Sequence, residues 1–344
     1  MEDKNLSYIS SEFELGDMST LDQYQRSIVK VIGVGGGGIN AANQMFFHIK
    51  DINFAVLDSD SQQLNESPIP DRVLLESIPG HDARYVTEEN EAEIATLFDD
   101  DTKWAIIVAG LGGETRTDVA PVVARIAREK EVTLTVGVVT IPFQFEGPQK
   151  ILKALASVEE MRKYVDALFV FNNQHLTEIF NDLDQTNAFA KSDETLTTAV
   201  RSLYCLITPI DPRVCMDFND VNFTLRKGGN AFIVSGYASG ERRVTKALEN
   251  AMESPLLKDC DSFSFKKILM IIYYNRDSES PLLMEEMNQF QEFMENFDHE
   301  VDVIWASAHD NTLEDQIKVT VLASGFNTTY GQYLASLLQD KSNQ

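Results

Sequence analysis

The chain is poor in basic residues. Its 29 lysines and arginines face 54 aspartates and glutamates, a formal charge of −25 at pH 7. That excess repels phosphate backbones and anionic headgroups, which argues against nucleic acid and acidic membrane surfaces as partners. Its simplest role is a solvated surface that keeps the protein apart from its neighbours. Cysteine is scarce too. Cys205, Cys215 and Cys260 show no CxxC or Cys/His metal spacing, so a disulfide scaffold and a thiolate metal site are excluded, and a reducing compartment is expected. No apolar run approaches the ~18 residues of a membrane span. Met1-Glu2-Asp3-Lys4 lacks the pattern of a signal peptide. A soluble cytoplasmic protein without direct membrane insertion is expected. Internal repeats and low-complexity segments are missing as well.

What is present is a globular chain. Hydrophobic residues make up 43 % of 344, enough for about two domains with ample core. Residues 1–27 are polar and acidic and read as a flexible arm. Residues 27–34 read as a buried strand running into Gly35-Gly36-Gly37-Gly38, with a helix over 39–47. Further strands are expected at 54–58, 104–109, 134–139 and 168–171, and a helix over 119–130. Short continuous apolar strands alternating with helices indicate a parallel sheet covered on both faces.

Leu196, Val200, Leu203 and Ile207 recur at helical spacing and predict a long helix over 192–207, ended by Pro209 and Pro212. Beyond it, strands are expected at 231–236, 268–273 and, half-buried, at 317–321. Helices are expected at 243–252 and 283–297. The Met287, Phe290, Met294 and Phe297 stripe reads as core. This is a second, smaller α/β unit.

Two glycine runs carry the chemistry. Gly33, Gly35 and Gly38 satisfy G-x-G-x-x-G between strand and helix, and Asp58 closes the next strand. This pattern fits either a dinucleotide site or a tight turn without ligand. The second run, Gly110-Leu111-Gly112-Gly113, begins like a backbone cradle for phosphates and then continues Glu114-Thr115-Arg116-Thr117-Asp118. Two acids oppose a polyphosphate, and Arg116 could pair with them or with phosphate. A dinucleotide site explains neither this run nor Pro142-Phe143-Gln144-Phe145-Glu146-Gly147, and no hydride-transfer constellation is visible.

The segments 31–41, 120–123, 142–147, Asp217-Phe218-Asn219-Asp220-Val221 and 319–326 together resemble FtsZ, the bacterial tubulin homologue of cell division. The resemblance covers about residues 27–327. It implies a tubulin/FtsZ-like α/β fold. The implied parts are a GTPase-type nucleotide-binding domain over 28–185, a central helix over 186–208, and a C-terminal α/β domain over 209–327 with the catalytic-loop segment at its start. A short tail follows over 328–344, lacking the long linker and partner-binding peptide typical of the family.

The site residues follow from the same resemblance. Gly36, Gly37, Gly112, Gly113 and Thr115 fall on the nucleotide loops. Asn40 and Asp193 match the pair that hydrogen-bonds guanine, Phe189 the aromatic that packs on the base, and Glu146 the ribose ligand. Lys150 stands where the family has arginine, keeping the charge but losing the planar fork. The phosphate half departs from the pattern. The family's Gly-Gly-Gly-Thr-Gly-Thr-Gly is Gly112-Gly113-Glu114-Thr115-Arg116-Thr117-Asp118 here, and a second glycine-rich loop is reduced to Gly80 within 78–84. In the loop that enters the next subunit's pocket, Asp217 and Asp220 persist as catalytic acids and Cys215 replaces an asparagine.

The resemblance therefore implies a divergent FtsZ-like protein that binds GTP or GDP weakly at the phosphates. Mg2+ can accompany the nucleotide, and no protein-held metal is expected. It would assemble head to tail with itself or with a standard FtsZ, with little hydrolysis. The alternatives are an ordinary GTP-hydrolysing FtsZ and a nucleotide-free paralogue that regulates an FtsZ filament.

Overall fold

The computed structural model describes residues 27–49, 51–75, 87–99, 101–113, 119–180, 184–207, 216–261, 264–278, 281–295, 297 and 300–330. Residues 1–26 of the acidic arm, the 78–84 loop, Glu114 to Asp118, Pro209, Pro212, Cys215 and residues 331–344 lie outside them.

Five of the expected strands form a parallel block. β1 (Val29–Val34) is flanked by β2 (Asn53–Asp58) and β4 (Trp104–Gly110). β3 (Asp71–Leu74) extends the block on one side, and β5 (Leu134–Ile141) and β6 (Ala167–Asn172) on the other. Neighbouring residues of β1 point into different cores. Val31 packs with α1 (Gly35–Phe46) and α7 (Gln185–Ile207), while Ile32 packs with α3 (Glu88–Thr96), α4 (Val119–Glu129) and α5 (Pro148–Met161). Both faces are covered, which is why these strands carry no polar alternation.

The second half adds α8 (Phe218–Leu225), β7 (Gly229–Ala238), α9 (Arg243–Met252), β8 (Lys267–Tyr274), α10 (Met287–Met294), β9 (Asp302–His309) and β10 (Ile317–Ser324). β7 runs parallel to β6 over a short stretch, 167–169 against 229–231. One ten-stranded sheet results, in the order β3-β2-β1-β4-β5-β6-β7-β10-β8-β9. The Met/Phe stripe belongs to the core under β7, β8 and β10, with Phe290 and Phe297 buried there.

Several expectations are corrected. The first helix starts at Gly35, so the glycine run lies inside it rather than before it. A Cβ at Gly38 would lie 2.2 Å from the Val108 carbonyl oxygen, so this turn can press onto β4 only because the side chain is missing. The central helix begins at Gln185, next to the 186 that the resemblance implies and ahead of the 192 read from periodicity, because its first turns carry polar residues that hide the apolar period. The expected 283–297 helix is a 3-10 turn followed by α10. β10 is buried along its length rather than half-buried, since it is central, between β7 and β8. Of the expected tail, Tyr330 is buried, and its hydroxyl donates to the Val170 carbonyl. The short α2 (Ser61–Glu66) and α6 (Leu176–Ile179), together with β3, α3, α5, α8 and β9, went unread in the sequence.

Candidate functional site

The strand order places a crossover between β1 and β4, where connections leave in opposite directions. Crevices outside the carboxyl ends of such strands are where parallel sheets bind ligands. Both glycine runs lie there. A Cβ at Gly37 would come 3.7 Å from Gly110 Cα on one side and 3.2 Å from Asp193 Oδ1 on the other. Gly36 faces the Gln63 carboxamide, with a Cβ there 3.1 Å from its nitrogen. Gln63 is a lining residue missed in the sequence, where nothing distinguishes it from Gln62. Gly112 has φ +92°, and a Cβ there would meet Pro142 at 2.5 Å and the Lys150 carbonyl at 2.8 Å. Gly113 is open. The glycine backbone thus stands against the 142–147 turn and the start of α5.

Asn40 on α1 donates from Nδ2 to Asp193 Oδ2 on α7, at 2.8 Å. Burial pushes the Asp193 carboxyl up to about 6, with the Asn40 bond pulling the other way. Glu146 Oε1 accepts from the Phe143 backbone N–H at 3.0 Å, and Oε2 lies 3.4 Å from Lys150 Nζ. Phe189 is 40 % exposed and sits edge-on to Phe143 and Phe145, with centroids 5.9 and 6.1 Å away. Phe145 is itself 57 % exposed and stacked on Phe143. Phe145 is the second missed residue, and its only signal was its place inside the Phe-Glu-Gly segment.

Asp58 does not join this group. Its side chain is buried, and Oδ1 accepts from the Asp60 N–H at 2.7 Å, so it shapes the turn after β2. That removes the acid a dinucleotide reading requires. Thr115 lies outside the described residues. Among those residues no cluster of three or more His, Cys, Asp or Glu could hold a metal.

Asp217 and Asp220 stand at the other end of the sheet. Asp217 caps α8, accepting from the backbone N–H groups of Asn219 and Asp220, and Asp220 Oδ2 accepts from the Asp217 N–H. Those bonds, the one from Asp220 N–H foremost, hold the Asp217 carboxyl below its ordinary range. Phe218 packs on Trp104, the first residue of β4, and Lys227 N–H bonds Asp166, just before β6. β4 runs seven residues from that end to Gly110, about 20 Å. One molecule therefore brings together Gly36, Gly37, Asn40, Gly112, Gly113, Glu146, Lys150, Phe189 and Asp193, and keeps Asp217 and Asp220 apart from them.

Residues 28–181 match the GTPase domain of the Tubulin/FtsZ family, and residues 229–327 match the FtsZ family C-terminal domain. The cell division protein FtsZ of Porphyromonas gingivalis is 43 % identical over 327 residues, covering 92 % of this chain and 71 % of that protein. The chain belongs to the FtsZ family. FtsZ of Aquifex aeolicus is 32 % identical over 309 residues, covering 87 % of this chain and 83 % of its own. A solved structure described as an empty FtsZ dimer from M. jannaschii superposes with TM-score 0.74 at 30 % identity, covering 89 % and 90 % of the two chains. The tubulin/FtsZ fold and membership of this cytoskeletal, cell-division GTPase family are thereby established. Among the described residues, no helix is long and apolar enough to cross a membrane.

Proposed function

We propose that this chain is a divergent FtsZ-type filament subunit that binds guanine nucleotide with a weakened grip on the phosphates and hydrolyses GTP slowly alone. The observation that carries the reading is the separation just described. Base and sugar groups cluster at the carboxyl end of the parallel strands, and Asp217 and Asp220 stand about 20 Å away at the other end. Stacking copies head to tail brings the acids of one over the site of the next, and such contacts build open filaments rather than closed dimers.

The residues present suit a guanine nucleoside. The guanine edge offers N–H donors beside a carbonyl acceptor, and an ionised Asp193 beside the Asn40 amide offers the complement. Adenine reverses part of that pattern. Phe189 and Phe145 offer ring faces, and Glu146 an acceptor for ribose hydroxyls. When bound, GTP supplies the phosphoanhydride bond, and Mg2+ can accompany its phosphates. Asp217 and Asp220 would orient and polarise water from the neighbouring subunit. Glu114 and Asp118 follow Gly113 in the chain, and an acid close to a phosphate opposes binding by about 1–4 kcal/mol.

Nucleotide released by denaturing the purified protein, together with calorimetric titration of GDP and GTP, tests the reading. Weak binding with little preference for GTP is expected, and phosphate release should be slow at any concentration. Tight binding with strong GTP preference, or brisk concentration-dependent turnover, would restore an ordinary GTPase. An empty site that takes neither nucleotide would instead favour a paralogue regulating a standard FtsZ. Mixing with a standard FtsZ, and measuring its phosphate release, separates co-assembly from isolation.

A further inference from the structure

A cavity of about 550 Å3 opens on the seam between the two halves of the molecule. It shares Pro142 with the wall behind Gly112, but Asn40, Phe189 and Asp193 do not line it. Ile141, Pro142 and Ile151 give it an apolar side. Three charged or titratable groups converge on its rim, His175 and Glu178 from the first half and Asp259 from the second. Its volume falls within the ~300–1,000 Å3 of small-molecule sites.

The rim has a defined hydrogen-bond polarity. Asp259 Oδ2 accepts from His175 Nε2 at 2.8 Å and from Asn172 Nδ2 at 3.1 Å, while Oδ1 accepts a long 3.4 Å bond from the Thr329 hydroxyl. Burial pushes the Asp259 carboxyl up, but the bonds from His175 and Asn172 outweigh it and hold it below its ordinary range. It is an anion at neutral pH. Since a carboxylate cannot donate, His175 carries its proton on Nε2. Its Nδ1 is buried, has no hydrogen-bond partner among the described residues, and lies 3.9 Å from Glu178 Oε1. Glu178 gives its other oxygen to Lys258. The carboxylates of Asp259 and Glu178 thus set two acceptor groups on one opening.

We propose that this cavity binds a small planar organic cation, an amidinium or guanidinium carried on a flat apolar body. The planar fork matches carboxylate geometry with two parallel N–H bonds, which a spherical ammonium cannot do. The flat body lies against Ile141, Pro142 and Ile151. An anionic ligand would meet two carboxylates in a chain of charge −25. Because the rim groups come from both halves, the ligand ties the seam together and stabilises the folded chain by mass action.

Benzamidine is the probe, with benzoate and benzyl alcohol as controls, on the full chain by calorimetry and thermal melting. Saturable benzamidine binding with Kd on the order of 1 mM is expected, with a rise in Tm and no binding of benzoate. Asp259→Asn and Glu178→Gln should each weaken it at least about fivefold, and saturating GDP should leave it unchanged. Should Asp259→Asn fail to fold, Glu178→Gln and the shift of the His175 imidazole nitrogens on titration carry the test. Absence of saturable binding, unchanged affinity in Glu178→Gln, or displacement by GDP would overturn the assignment.

Discussion

Asn40 and Asp193, 153 residues apart in the chain, meet through one 2.8 Å hydrogen bond that joins the first helix to the central one. It sets an amide donor and a carboxylate acceptor side by side at the edge of the glycine turn. The carboxylate is held there against its own tendency to take up a proton, since burial raises it to about 6.

That cost has a testable sign. A carboxyl whose folded pKa exceeds its unfolded value makes the fold less stable as pH rises from about 4 to about 6. Asp193→Asn removes the titration, so the variant should be the more stable one above pH 6. After discounting for solvent screening, the gain is on the order of 1 kcal/mol. The same variant should lose guanine affinity at pH 7. In the unaltered protein, GDP affinity should fall as pH drops below about 6. Chemical denaturation and GDP titration from pH 5 to 8 check both; a variant less stable at pH 7.5 would contradict the burial argument.

Phe189 presents 40 % of its surface to solvent at the head of the central helix. Its loss should matter more to a base than to the fold. Phe189→Ala is expected to lower GDP affinity about tenfold, as for a lost base–aromatic stack of ~1–3 kcal/mol, with stability falling by less than ~1 kcal/mol. Equal losses of stability and affinity would mark it as a packing residue. Titration beside a urea melt separates the two.

The charged run after Gly113 should be what weakens the phosphate grip. Replacing Glu114, Arg116 and Asp118 together by glycine is expected to tighten GDP and GTP binding several-fold, by removing repulsion and freeing backbone N–H groups. A folded triple variant with unchanged affinity would show that these residues do not face the phosphates.

Asp217 has two candidate roles that one pair of substitutions pulls apart. Asparagine caps a helix about as well as aspartate, whereas alanine costs ~0.5–2 kcal/mol. Asp217→Asn should keep the melting temperature of the unaltered protein and lose whatever phosphate release the protein shows alone or in a mixed filament. Asp217→Ala should lose both. Turnover retained in Asp217→Asn would reduce Asp217 to a helix cap.

The sequence was most legible where a pattern is local. The apolar runs of β1, β4, β5 and β6 announce a parallel sheet because each strand is buried on both faces. The helical stripe of Leu196, Val200 and Leu203 announces the central helix. Legibility failed where long-range packing decides. The glycines at 35–38 read as a loop by propensity, yet α1 starts there because its first turn presses onto β4. The head of the central helix is polar because it borders a crevice, so its period disappears from the sequence. β9 lies at the sheet edge with a weak pattern, and only its pairing with β8 makes it a strand.

The sequence alone therefore determined the family, most of the strands and most of the residues that gather at the crevice, because ordered motifs and apolar periodicity are properties of the chain itself. Only the tertiary structure decided which residues meet. It set Asn40 against Asp193, turned Asp58 away into a turn, brought Gln63 and Phe145 to the site, and left Asp217 and Asp220 at the far end of β4. Proximity between residues far apart in the chain depends on strand order and on which helix packs against which face, and neither is written in local spacing.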